Sequence, residues 1–359
     1  MYKKLLFISA LVVALASCSG PKSEMDKFID DLMSKMTVEE KIGQLNLPVA
    51  GDIVTGQAKS SNVSERIRAG EVGGLFNLKG AEQIKEVQRI AVEESRLGIP
   101  ILFGMDVIHG YETIFPIPLG LSCSWDMEAV ELSARVAAEE ASADGICWTF
   151  SPMVDVSRDP RWGRVMEGYG EDPYATSVYC QAAVKGYQGD DMSEENRIAA
   201  CLKHYAGYAA SEAGMDYVYT EISDQTLWDT YLPPFEAGVK SGVATLMSAF
   251  HNISGTPASG SHYLLTEVLK EKWQHDGFVV SDWDAIKQLI YQGMAADEKE
   301  AAVIAFNAGI EMDMADNIYS KYFKELLDEG KISMKQIDEA VSRILRVKFR
   351  LGLFENPYT

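Results

Sequence analysis

One unit recurs along most of this chain and limits what it can fold into: a short apolar run, a loop, an amphipathic helical pattern, and often a glycine before the next apolar run. Runs at 72–77, 101–106, 147–151, 199–203, 244–250, 278–282 and 310–313 read as strands, with 44–47 as a weaker first one. Helical spacing at 82–95, 127–143, 174–187, 264–273 and 298–307 supplies the crossovers that parallel strands need. About eight strand–helix units over roughly 300 residues predict an α/β fold, a single-domain (β/α)8 TIM barrel, because a doubly wound sheet usually has fewer strands. No low-complexity linker interrupts the pattern, so 24–350 is expected to form that one domain. Apolar spacing at Met25, Phe28, Ile29, Leu32 and Met36 marks a helix ahead of the barrel, and Thr37 with Glu40 fits a capping box. Closing helices are expected at 322–327 and 334–349, before an exit segment at 351–359.

The first residues follow a different logic. Met1-Tyr2-Lys3-Lys4 and the apolar run 5–16 have the layout of a secretory signal whose apolar stretch is too short to remain as a membrane helix. Leu15-Ala16-Ser17-Cys18 resembles a bacterial lipobox, which implies removal of 1–17, acylation of Cys18 and a tether over 18–23. The expected location is the bacterial cell envelope, as a periplasmic or outer-membrane lipoprotein that meets membrane through its N-terminal lipid anchor only. A formal net charge of -20, with 53 Asp and Glu against 33 Lys and Arg, argues against a nucleic-acid partner, since phosphate binding requires basic patches. Cys123, Cys147, Cys180 and Cys201 are far apart and lack a Cys-x-x-Cys spacing, so zinc clustering is not suggested. Cys147 and Cys201 read as buried thiols, although an envelope location leaves a disulfide open.

In a barrel, the carboxyl ends of the strands carry the chemistry. The run Gly277-Phe278-Val279-Val280-Ser281-Asp282-Trp283 delivers a carboxylate where a strand ends, and Asp284 is expected to cap the helix beginning at Ala285. Asp282 itself is either a reacting group or a helix cap. Other strand ends supply Asp106 with His109 beyond it, the stretch Asp155 to Arg164 leading on to Glu167 and Glu171, and Lys203-His204. Two carboxylates, an Arg, a Lys and a His at one barrel mouth suit a ligand with many hydroxyls, because charged groups give strong directional hydrogen bonds to neutral OH groups. Duller roles exist for each: Asp106 as a loop cap, Arg164 as a scaffold partner of Glu167 or Glu171, His109 as a loop support, Lys203-His204 as a surface pair. A metal site from His109, Asp155 and His204 lacks any His-x-His or similar spacing, and neither metal nor cofactor is expected.

Seven segments carry a resemblance: 104–110, 115–120, 151–158, Arg161-Trp162-Gly163-Arg164, Gly170-Glu171-Asp172-Pro173, Lys203-His204-Tyr205-Ala206 and Val280-Ser281-Asp282-Trp283. In order, and over nearly the whole chain after the leader, they resemble glycoside hydrolase family 3, the bacterial β-glucosidases in particular. The resemblance implies retaining hydrolysis of terminal non-reducing β-D-glucosyl residues from an oligosaccharide or β-glycoside. Asp282 would be the nucleophile, Asp106, Arg164, Lys203 and His204 would hold sugar hydroxyls, and Trp283 and Phe250 would lie beside the sugar. β-Xylosidase and β-N-acetylglucosaminidase are the other substrate readings, with Asp106 favouring glucose. Lys203, Arg164 and the imidazole are expected to keep Asp282 ionised, as a nucleophile requires.

The chain also departs from the family. Phe250 stands where relatives often carry Tyr, so a phenol near Asp282 is missing or replaced by His251, and Met215 stands where relatives often carry a basic residue. The family's usual C-terminal α/β domain, source of the acid/base Glu, does not follow the barrel before Thr359. The branch lacking that domain uses an Asp-His pair in the loop after strand five, and 206–214 lacks the pattern. Glu212 and Asp216 lie in or near that loop, but both are expected to be surface groups. The expectation is therefore a hydrolase barrel that is a fragment or is completed by a separate C-terminal domain or subunit. The rival from another class is a sugar-binding lipoprotein without turnover.

Overall fold

The structure, a computed structural model, describes residues 22–50 and 63–358. The leader 1–17, Cys18 and most of the expected tether lie outside the described residues. Eight short strands follow in chain order: β1 (Asn46–Leu47), β2 (Gly74–Phe76), β3 (Leu102–Met105), β4 (Trp148–Thr149), β5 (Cys201–Tyr205), β6 (Thr245–Ser248), β7 (Phe278–Val280) and β8 (Asp313–Met314). All pair in parallel: β8 with β1, β2 through β4 in one ladder, β5 through β7 in another. Single parallel bridges Val49–Phe76, Trp148–Ala199 and Val280–Met312 join these sets. Each strand thus neighbours the next and the last meets the first, which closes the sheet into a barrel. The weak first strand is shorter than expected, because Gln44 still belongs to the preceding helix Val38–Gln44.

Strand residues Leu75, Leu102, Phe103, Trp148, Leu246 and Val279 are all buried, as strands covered on both faces require. Inside, the Trp148 indole N–H donates to Thr245 Oγ1 at 2.9 Å, and its ring meets Phe278 edge-on with centroids 5.3 Å apart. The interior is therefore packed side chain rather than a pore, which leaves an end of the barrel for ligand. Outside, the helices Met127–Ala143 and Pro173–Gln188 pack through small residues. A Cβ on Gly186 would stand 2.4 Å from the Glu131 carbonyl oxygen, so only glycine permits this approach.

The Thr37–Glu40 capping box forms. Asp284 does not cap its helix. It sits in the left-handed region at φ 55 without a capping hydrogen bond, and the Lys287 N–H that such a cap would take is bound by the Asp316 carboxylate at 3.2 Å. Cys147, Cys180 and Cys201 are buried, Cys123 is exposed, and all four are free thiols, so the disulfide left open by the envelope reading is not formed among them. The exit segment folds back on the barrel: Leu353 is buried and the Pro357 carbonyl accepts from Gln88 Nε2 at 3.1 Å.

Candidate active site

Asp282 is separated from the end of β7 by Ser281 alone, so a fully buried apolar strand sets where its Cα stands. The Trp283 main-chain N–H donates to its Oδ1 at 2.7 Å. Its Oδ2 is buried without a hydrogen bond among the described residues and lies 3.4 Å from His204 Nε2. One oxygen fixes the plane of the carboxylate while the other is uncommitted. The side chain binds an N–H that precedes the helix Ala285–Tyr291, so it is not that helix's cap.

β5 brings in two more groups. Buried Lys203 reaches the exposed carboxylate of Asp106, past the end of β3, with Nζ 2.8 Å from Oδ1. The His204 backbone N–H donates to Asp155 Oδ2 at 2.8 Å, and its Nδ1 lies 2.9 Å from the same oxygen. Asp155, on the segment after β4, thereby turns the imidazole so that Nε2 faces Asp282. Both residues of the pair are buried, so Lys203-His204 is not a surface feature.

Arg164 is held by Glu167 through two parallel bonds of 2.7 and 2.9 Å, and its guanidinium lies 5.8 Å above the Tyr208 ring. The scaffold pairing weighed in the sequence is thus present, with Glu167 as partner. Trp283 is half-buried and meets Phe76 edge-on at 5.8 Å, while Phe250 lies 6.4 Å from the His204 ring. His251 packs on Tyr208 at 5.3 Å, and among the described residues neither of its ring nitrogens bonds to Asp282 in place of a phenol. His109 is exposed and supports its loop through its carbonyl, which accepts the Phe115 N–H at 2.8 Å. Asp155 and His204 meet without His109, and no cluster of three or more metal-ligating side chains occurs among the described residues.

Burial governs the charges. It pushes Asp282 up to about 7, against the opposing pull of Lys203, the Trp283 N–H and Arg164. Burial likewise raises Asp155 to about 7. His204 is driven well below its ordinary value by burial, with Arg164, Lys203 and His251 adding to it, so the imidazole is neutral. Burial also opposes the Arg164 charge, but Glu167 outweighs it and holds the guanidinium above its usual value. The expectation that Lys203, Arg164 and the imidazole keep Asp282 ionised is therefore corrected: the imidazole is neutral, and burial outweighs the pull of Lys203 and Arg164.

A stability effect follows from these values. An unfolded Asp titrates near ~3.9, whereas folded Asp282 does so at about 7. Between these values the native state holds more protons than the unfolded chain, so stability falls as pH rises through that window. Asp282→Asn retains an acceptor for the Trp283 N–H and carries no charge. It is expected to be more stable than the parent by about 4 kcal/mol at pH 8, with the gain vanishing toward pH 4. Urea unfolding at the two pH values checks this, and a gain equal at both would remove the titration of Asp282 as its cause.

Asp155 entered the sequence reading within the stretch leading to Arg164 and as a weak metal ligand, with no role beside His204. The signal that could have found its present place is Val154 and Val156, both buried, which bracket a carboxylate that must then find an internal partner. Tyr208 and Tyr217, which border Arg164 and Phe250, carried no comparable mark.

A family model for the glycosyl hydrolase family 3 N terminal domain matches residues 37–347. A periplasmic beta-glucosidase of Salmonella typhimurium is 44% identical over 334 residues, covering 93% of this chain and 43% of the relative. A putative beta-xylosidase of Formosa agariphila is 35% identical over 355 residues, covering 93% of this chain and 47% of the relative. The crystal structure of a beta-glucosidase from Listeria innocua in complex with isofagomine is similar with a TM-score of 0.88 and 41% identity, covering 92% of this chain and 47% of that one. The chain spans less than half the length of these relatives.

Proposed function

The chain belongs to glycoside hydrolase family 3, and from that membership we propose that its barrel binds the terminal non-reducing β-glucosyl unit of a glycoside and supplies the nucleophile of a retaining hydrolysis. The observation that carries this reading is the Asp282 carboxylate, with Oδ1 tied to a main-chain N–H and Oδ2 buried and uncommitted. Oδ2 attacks the anomeric carbon, the bond to the aglycone oxygen breaks, and a glycosyl ester forms. Water then displaces the carboxylate from the opposite face, so the configuration is retained. Lys203 and Asp106 offer a donor and an acceptor side by side to neighbouring sugar hydroxyls, and the neutral His204 offers a further polar contact beside Asp282. Trp283 and Phe250 flank the ring. Arg164 acts through the charge it shares with Glu167 unless a hydroxyl displaces that partner. The exposed Asp106 carboxylate supports glucose over xylose, while the relatives named above include both kinds of enzyme.

Retaining hydrolysis needs a second carboxyl about 5 Å from the first to protonate the leaving oxygen. Asp106 is paired with Lys203, Asp155 with His204 and Glu167 with Arg164, and Asp216 accepts the Trp162 indole N–H at 3.2 Å. We assign the second carboxyl to a further domain or a separate subunit that meets the barrel mouth, a reading supported by relatives of about twice this length. The leader-like 1–17, the lipobox Cys at 18 and a relative named as periplasmic support a lipid-anchored place in the cell envelope.

The test uses 2,4-dinitrophenyl 2-deoxy-2-fluoro-β-glucoside, whose leaving group departs without a proton. It is expected to label Asp282, and the protonated acid does not attack. The labelling rate therefore falls about tenfold per pH unit below the Asp282 midpoint, about 7, and is level above it. Absence of the label from Asp282 by peptide mass spectrometry would sink the assignment, whereas a rate flat from pH 5 to pH 8 with Asp282 labelled would place its midpoint below that window.

A further inference from the structure

We propose that Tyr217 forms an aromatic platform for the aglycone at the rim of the barrel mouth, favouring a flat aryl leaving group; the proposal rests on Asp282 as nucleophile. Met215, Tyr217 and Tyr219 are 57%, 63% and 51% exposed, three large apolar side chains within five residues of one loop. Scattered single exposures of this kind need no explanation, but Tyr217 adjoins the site. Tyr217 holds a φ of 59, uncommon for a residue with a side chain. Its ring meets Phe250 edge-on with centroids 5.1 Å apart, Phe250 lies 6.4 Å from the His204 ring, and His204 Nε2 lies 3.4 Å from Asp282. An aromatic path thus runs from the rim to the reacting carboxylate. Tyr217 also feels the charge of Asp282: its phenol is raised first by burial, then by Asp216, with Asp282 and Glu167 adding.

The direction of attack decides what meets this rim. The carboxylate enters on one face of the anomeric carbon, so the leaving group departs on the other, away from the buried Lys203 and His204 that hold the sugar. The one charged side chain in the run 215–219, Asp216, is engaged with the Trp162 indole. What the loop presents is a thioether and phenol rings, which pack on a flat apolar face without the charged groups that hold the sugar at Asp282.

Two reagents that place the same sugar on Asp282 separate this from the underlying reading: the dinitrophenyl 2-deoxy-2-fluoro-β-glucoside, and 2-deoxy-2-fluoro-β-glucosyl fluoride, whose leaving group is a single atom. Tyr217→Ala is expected to lower the second-order labelling rate about tenfold with the aryl reagent and less than about twofold with the fluoride. Tyr217→Phe, which keeps the ring, recovers most of the aryl rate. Equal losses with both reagents, or no loss with the aryl one, would overturn the platform while leaving Asp282 in place. A parent chain labelled by neither reagent would overturn both readings together.

Discussion

Asp282→Ala is expected to take up no label from the dinitrophenyl fluoroglucoside and to lower aryl β-glucosidase turnover, wherever the acid/base group is also supplied, by about 10⁴-fold or more. The size follows from the chemistry: without Oδ2 there is no glycosyl ester, and water must attack a carbon whose near face the alanine leaves open. That opening provides a positive test. Azide entering there displaces the dinitrophenolate from the face the carboxylate would have used, and the product is 2-deoxy-2-fluoro-α-glucosyl azide. An alanine variant that still takes the label, on any carboxylate, would assign the nucleophile elsewhere.

The second large effect belongs to Lys203, which lies buried beside Asp106 and is the strongest pull toward the ionised form of Asp282. Lys203→Met keeps much of the volume and removes the charge. The labelling rate is expected to fall by about 10²-fold or more, as truncating a buried, hydrogen-bonded charge commonly does. The pH profile carries the sharper information. Losing the ammonium leaves burial less opposed, so the midpoint of Asp282 moves above about 7. If Lys203 merely supports the fold, the rate drops at every pH and the midpoint stays where it was.

The barrel was legible because strands covered on both faces must be apolar throughout, and runs such as 278–282 are bounded sharply by polar residues. The gathering at the mouth was legible for a related reason: a charged group directly after such a run has only the strand end to occupy. What sequence could not supply was competition at a distance. Asp284 has every local mark of a helix cap, yet Asp316, far along the chain, takes the N–H it would have bound. The protonation of Asp282 failed in the same way, since charges can be counted along a chain but the desolvation opposing them depends on what covers the site. Asp155 was passed over because its partner, the backbone and ring of His204, is 49 residues away. The Arg164–Glu167 pair, by contrast, stood among the alternatives because its two members are close in sequence.

The bond that orients Asp282 comes from the main chain of residue 283, and every amino acid except proline supplies that N–H. Aim and surroundings are therefore inherited separately at this position. The indole can be exchanged, by drift or in a laboratory library, without disturbing the carboxylate it adjoins. Residue 283 is thus a place where such an enzyme can explore new substrates at little risk to its chemistry, a form of evolvability written into the backbone.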